Sequence, residues 1–246
     1  MRALFNCLVL GFSLGALGSV PHVACADTRS AIPTSTRSRE AVERVRTRLE
    51  PALESRGWKW GDAAFLRVFK DESIMEVWLK RGEKFELFRS YPICYFSGGL
   101  GPKKRTGDRK TPEGFYKLGA GSFNPNSSYH LSMNIGFPNR YDRHHGRTGS
   151  FLMIHGDCVS IGCLAMTDSG VEEIYALVEA AIRNGQESVS VHIFPFRLDR
   201  LVLFRYLRFN DFSFWRELRE GYAYFEDRRI PPQMNVVNGR YTIVVP

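Results

Sequence analysis

Apolar positions along this chain follow two rhythms. Between Ser38 and Arg56 they fall at Val42, Val45, Leu49 and Leu53, a spacing that predicts a helix with one buried face. Ser38 is placed to cap its start and Gly57 its end, and Pro51 to kink it. From Ala63 the period shortens. Phe65–Phe69, Met75–Leu79 and Phe85–Phe88 predict strands, parted by Asp71-Glu72-Ser73 and Arg81-Gly82-Glu83, and Ile93–Phe96 reads as a fourth. Strands this close, with turns this short, describe an antiparallel meander.

Two long loops follow. Gly98–Gly114 is dense in glycine, proline and basic residues; Gly119–Gly149 is poor in aliphatic runs, and the strand Phe115–Leu118 stands between them. Loops of this length inside a domain are usually functional. Leu152–Ile154 is a short apolar strand that ends at His155. Asp168 is placed to cap a helix over Gly170–Arg183, which Gly185 stops, and Val189–Phe194 is a further strand. After Pro195, aromatic and basic residues alternate. Phe212–Phe225 suits an aromatic-rich helix with Asp211 as cap, and the whole stretch Phe194–Phe225 is read as a helical cover for the domain before it or as a membrane-surface or partner helix. Asn238-Gly239 is a hairpin turn. The pattern predicts a mainly β fold with α (α+β), a β-sandwich or partly closed barrel with one main helix. Residues 27–62 form a linker and N-terminal helix, 63–196 the central domain and 197–246 a mixed C-terminal extension.

Residues 1–26 read as a secretory signal peptide: Arg2, an apolar run from Ala3 to Val20, then Ala24-Cys25-Ala26 as a cleavage site. Gly11, Gly15, Gly18 and Pro21 break the run, which argues against the competing reading of a membrane anchor. No later stretch approaches the ~20 apolar residues of a spanning helix, so no transmembrane segment is expected in the mature chain. Cleavage removes one arginine and no acid, taking the net charge from +8 to +7. A surface of this sign favours anionic partners. Export to the periplasm or cell envelope of a bacterium leaves nucleic acid out and makes an anionic wall polymer the better fit.

Five cysteines become three on cleavage: Cys94, Cys158 and Cys163. Cys158 is either a core thiol or the partner of Cys94. No C-x-x-C pair is present, and the adjacent His144 and His145 would point opposite ways in extended backbone, so neither a metal nor a cofactor is expected. Cys163 stands apart because Gly162 and Ser160 precede it and a helix follows. Glycine there lets N–H groups face the oxyanion of a tetrahedral intermediate. His155, eight residues upstream, can activate the thiol across a folded-back loop. Spacing alone leaves two unrelated core residues as the alternative.

The segment Ile154-His-Gly-Asp-Cys-Val-Ser-Ile-Gly-Cys-Leu-Ala-Met166 resembles the active-site motif of the YkuD-type L,D-transpeptidases, a His-Gly followed by Ser/Thr-x-Gly-Cys. Gly107-Asp-Arg-Lys-Thr-Pro-Glu-Gly-Phe-Tyr116 is similar to a second element of that family. Asn139-Arg-Tyr-Asp142, Gly146-Arg-Thr-Gly149 and Ile193-Phe-Pro-Phe196 resemble its YafK-like branch. The resemblance implies Cys163 as nucleophile, His155 as proton donor and acceptor, the Gly156 carbonyl as its orienting group and Gly162 as an oxyanion donor. It implies a thioester formed at the meso-diaminopimelate residue of peptidoglycan stem peptides. Transfer to an amine would cross-link the wall. The YafK-like branch also includes hydrolases that release a peptidoglycan-attached lipoprotein. A non-catalytic wall-binding module is a further alternative. The chain departs from the family in a short His155–Cys163 gap, in Ile161 where most members have histidine, and in Ala165 where many have arginine. Ser160, Lys104, Tyr141 and Arg147 are candidate substrate contacts. For Lys104, as for its loop neighbours Lys103, Arg105, Arg109 and Lys110, the competing reading is a solvated basic surface.

Overall fold

A helix leads into a meander of three strands. The computed structural model describes residues 31–244; the signal peptide read over 1–26 lies outside the described residues. Helix α1 (Thr36–Glu54) precedes β1 (Ala64–Phe69), β2 (Ile74–Arg81) and β3 (Lys84–Pro92), each antiparallel to the next. β4 (Gly114–Leu118) follows the first long loop. The second long loop carries β5 (Phe123–Asn124), β6 (Ser132–Asn134) and the short helix α2 (Arg140–His144). β7 (Met153–His155) and β8 (Leu164–Ala165) then bracket the motif loop. Helix α3 (Asp168–Arg183), β9 (Val189–Phe194), α4 (Arg200–Phe204), α5 (Phe212–Arg228) and the hairpin of β10 (Gln233–Val237) with β11 (Arg240–Val244) complete the order.

The fold is mixed α+β. One sheet has the order β3-β2-β1-β9-β4 and a second the order β5-β6-β7-β8. Among the described residues these sheets do not close into a barrel. β9 pairs in parallel with β1, Phe65 opposite Ser190, and antiparallel with β4.

Helix α3 packs between the two sheets and against α1. Its buried Val171, Ile174 and Val178 join Leu49 and Leu53 of α1, Leu66 and Val191 of the first sheet and Met133 and Ile154 of the second in one core. The opposite face of the first sheet is covered by the C-terminal extension, where Trp215, Leu218 and Tyr222 of α5 pack on Phe69 and Phe194. β1 is therefore buried on both faces, which is why all six of its residues are inside. Arg67, 1% exposed, is paid for by an ion pair with Glu226 at 2.7 Å and by the rings of Phe69 and Phe225 around its guanidinium.

Several capping expectations are corrected. Ser35, not Ser38, caps α1. Ser35 Oγ accepts from Ser38 N at 3.1 Å, and Ser38 Oγ accepts from Ser35 N at 2.9 Å. Thr167 caps α3, its Oγ1 accepting from Gly170 N at 3.1 Å, while Asp168 is the first helical residue. Asp211 makes no cap bond to α5; its carboxylate pairs with Lys104 Nζ at 2.7 Å. Ile93–Phe96 is not a strand. Cys94 is bonded to Cys158 there, and Tyr95 makes an isolated bridge to Ala165.

A buried ion pair pins the first long loop. Lys70 and Glu113 are both fully inside and 2.9 Å apart. Lys70 Nζ also donates to the carbonyls of Gly101 and Thr111, and Glu113 accepts from Gly101 N at 2.7 Å and Trp215 Nε1 at 2.8 Å. Burial pushes the Lys70 pKa down, and the Glu113 carboxylate opposes that. The pair's hydrogen-bonding groups are met on both sides, the condition under which a buried pair is tolerated.

Candidate active site

Strand pairing brings His155 and Cys163 together. In the parallel pair of β7 and β8, Ile154 lies opposite Leu164 and His155 opposite Ala165. Carried back one residue, the register sets Met153 opposite Cys163. Met153 and His155 are two apart on one strand and face the same side, and Cys163 shares that side. A strand spacing of about 4.8 Å and two residues of about 3.3 Å give an α-carbon separation of about 8 Å, which an imidazole and a thiol pointing the same way can bridge.

His155 is buried. Its Nδ1 lies 2.6 Å from the Gly156 carbonyl, which can only accept, so Nδ1 carries the proton and the neutral ring leaves Nε2 unprotonated. The Tyr129 ring covers the imidazole at 4.8 Å between centroids. Burial pushes the His155 pKa below its usual value, against the Gly156 carbonyl and the Asp157 charge. Gly156 has no room for a side chain, because a Cβ would collide with the Asp168 carboxylate and crowd His130. That carboxylate accepts from Asp157 N at 2.8 Å and anchors the turn after His155.

Cys163 is half-buried and is the free cysteine among the described residues; Cys94 and Cys158 are paired. Its Sγ accepts from Met153 N at 3.4 Å and reaches the Phe151 carbonyl at 3.6 Å; in this resting geometry it makes no hydrogen bond with His155. Burial pushes the thiol pKa up, while the Met153 N–H and the Lys103 charge pull it down. Burial therefore disfavours the charged form of both groups, the imidazolium and the thiolate.

The turn before Cys163 is held by Ser160. Its Oγ donates to the Cys163 carbonyl at 2.8 Å and accepts from Gly162 N at 3.1 Å. Ser160, expected at the substrate, thus has its hydroxyl engaged within the turn. The Gly162 N–H, expected at an oxyanion, is engaged as well, whereas the Cys163 N–H bonds to nothing else among the described residues. Gly162 serves through its φ of +134°, a conformation L side chains rarely adopt.

Tyr141 and Arg147, expected at the substrate, are committed elsewhere. Tyr141 is buried and stacked on Tyr241 at 4.2 Å. Arg147 pairs with the fully buried Asp142 at 2.9 Å and lies over the Phe214 ring. Asp142 needs that cation, since it also accepts from Tyr116 Oη inside the core. Lys104 is exposed and bridges to Asp211. Arg105 and Arg109 are exposed on the same loop.

Sequence reasoning missed Thr111, Asp108 and Phe151, and read Lys103 as a substrate contact or solvated surface. Thr111, buried, donates from Oγ1 to the Cys163 carbonyl at 3.4 Å. Lys103 is buried with its Nζ 2.6 Å from Asp108, and it is the cation whose field reaches the thiol. Burial opposes ionisation of Asp108, but Lys103 and the N–H groups of Lys104, Arg105 and Lys110 hold its pKa at about 2. The Gly-Asp-x-x-Thr-Pro element carried the signal for Asp108 and Thr111. Phe151, exposed beside Cys163, had none. Ile161, two residues before Cys163, is 82% exposed.

The model of the YkuD family, the L,D-transpeptidase catalytic domain, matches residues 64–193. YafK of Escherichia coli (strain K12), provisionally named an L,D-transpeptidase, is 50% identical over 186 residues, which are 76% of each chain. Two forms of the helical cell shape determining protein Pgp2 from Campylobacter jejuni are similar in structure. A mutant form has a TM-score of 0.45 at 23% identity, over 66% of this chain and 57% of that one. The other has a TM-score of 0.44 at 17% identity, over 80% and 79%. By the family model and the half-identical relative, this chain belongs to the YkuD family of L,D-transpeptidase catalytic domains.

Proposed function

We propose that this protein is a cysteine acyltransferase of the cell envelope that acts on peptidoglycan stem peptides at the meso-diaminopimelate residue. Cys163 Sγ attacks the carbonyl at that centre as its proton passes to His155 Nε2. The Cys163 N–H donates to the oxyanion. The tetrahedral intermediate collapses, the C–N bond breaks and the leaving amine takes the proton from His155. The thioester is then opened by an acceptor amine or by water, whose proton returns through His155 to the thiolate. The Gly156 carbonyl plays the orienting part that a carboxylate plays in other triads. Arg105 and Arg109, exposed on the loop that also carries Thr111, are the cations offered to stem-peptide carboxylates.

What supports this reading above all is the shared sheet face of His155 and Cys163, with the imidazole tautomer held by Gly156. Cys163→Ala on isolated sacculi tests it: product formation is lost, and full retention of activity refutes the mechanism.

A second reading, hydrolysis that releases a peptidoglycan-attached lipoprotein, has its own observation. Ile161 presents an exposed apolar side chain beside the nucleophile where most family members carry histidine, and Ala165 is buried where many carry arginine. A site short of polar groups for an acceptor amine leaves the thioester to water. Defined muropeptides, with and without attached lipoprotein, separate the two by product mass. Cross-linked dimers mark transfer, and free stem peptide marks hydrolysis.

A further inference from the structure

The C-terminal extension carries a surface that the acyl-transfer site does not use. On α4 and the turns after it, Leu201 is 82% and Phe204 59% exposed, and Leu207 and Phe209 are more than half exposed. Soluble surfaces tolerate single exposed apolar residues, but a contiguous group in one short segment marks a contact site. Arginines are interleaved with them. Arg200, Arg205 and Arg208 lie in the same run, which holds no acid from 200 to 210, and Arg216 and Arg219 face it from α5. None of the five pairs with a carboxylate among the described residues. The extension's other arginines behave differently: Arg197 pairs with Glu72 and Glu76, and Arg240 with Glu217. Between α4 and α5 a cavity of about 350 Å³ has Leu203, Phe204, Leu207 and Phe212 on its walls and Arg200, Arg216 and Arg219 at its rim. Arg219 Nε is buried there without a hydrogen-bond partner.

We propose that this face docks on a phospholipid surface rich in anionic headgroups. Leu201, Phe204, Leu207 and Phe209 enter the headgroup–acyl boundary and the arginines pair with the phosphates. Two features favour lipid over a protein partner. The cations are all arginine, whose fork matches phosphate bidentately. The unpaired cations Arg200, Arg205 and Arg208 are also interspersed among Leu201, Phe204, Leu207 and Phe209, the pattern of an interfacial segment, whereas protein interfaces segregate an apolar centre from a polar rim. The docking does not depend on the Cys163 reading, since none of these residues touches that site.

The test uses the chain as purified from the envelope of an expressing bacterium, spun with two sets of vesicles. One is phosphatidylcholine alone and the other phosphatidylcholine mixed with phosphatidylglycerol. The protein sediments with the anionic set and is released by salt. Each arginine near such a surface is worth roughly fivefold in partition, so Arg205→Gln with Arg208→Gln weakens binding roughly 25-fold. Leu201→Ser alone, at a side chain 82% exposed, weakens binding without changing thermal stability, and adding Phe204→Ser abolishes it. Equal sedimentation with both vesicle sets, none with either, or variants that sediment like the parent would each overturn the proposal.

Discussion

Ser160→Ala isolates the brace beneath the nucleophile. The hydroxyl makes two hydrogen bonds, to the Cys163 carbonyl at 2.8 Å and from Gly162 N at 3.1 Å. Each is worth about 1 kcal/mol net, so the substitution frees the turn by about 1 to 2 kcal/mol. Thr111 still holds the Cys163 carbonyl at 3.4 Å, which keeps the loss towards the lower end. If the turn must be closed for the Cys163 N–H to meet the oxyanion, kcat falls by roughly fivefold to 30-fold and KM stays put. The assay is steady-state release of stem-peptide products from defined muropeptides, with the Cys163 alkylation rate at neutral pH as a readout independent of substrate. A kcat within twofold of the parent would remove the brace from the mechanism. A loss confined to KM would restore Ser160 as a substrate contact and refute the reasoning.

The depressed His155 pKa sets the sign of the acid limb. The imidazole must be neutral to accept the thiol proton, and burial moves its protonation below 6.5, so kcat/KM holds as pH falls through 6.5 and fails only beneath it. An acid midpoint above 6.5 in a pH–rate profile would contradict this. Glu113→Ala leaves Lys70 buried without its counter-charge, which costs about 3 to 5 kcal/mol, or about 10 °C in melting temperature. A melt that coincides with the parent's would show that the pair is not needed. The Cys94–Cys158 bridge joins residues 64 apart, so replacing both cysteines by alanine costs about 4 kcal/mol on the chain-entropy account. Titration of the denatured mature chain should find one free thiol, and three would exclude the bridge.

Much of the fold was legible because its signals are local. The meander of β1 to β3, the strands β4 and β9, and α3 and α5 all follow from periods within the elements themselves. Asn238-Gly239 marked the last hairpin with the same directness. The unread parts depend on partners far away. β5, β6 and β8 are two or three residues long and exist through pairing, not propensity. Capping went astray at α1 because Ser35 and Ser38 bond reciprocally, and either can be taken for the cap. In the site, the motif marked His155 and Cys163, but it could not show that Ser160 would occupy the Gly162 N–H. Tyr141 and Arg147 looked like ligands because polar residues on a long loop usually face solvent. Here Arg147 serves Asp142, whose burial no local pattern betrays, and Tyr141 is buried against Tyr241.

The parallel seam between β1 and β9 also governs how the chain comes into being. Phe65 meets Ser190, so 125 positions must leave the ribosome before the inner edge of the first hairpins finds its mate. Until then the meander offers an open, greasy border to any neighbouring polypeptide, the usual seed of aggregation. A gene cut short before codon 189 should therefore yield insoluble product rather than a smaller folded protein.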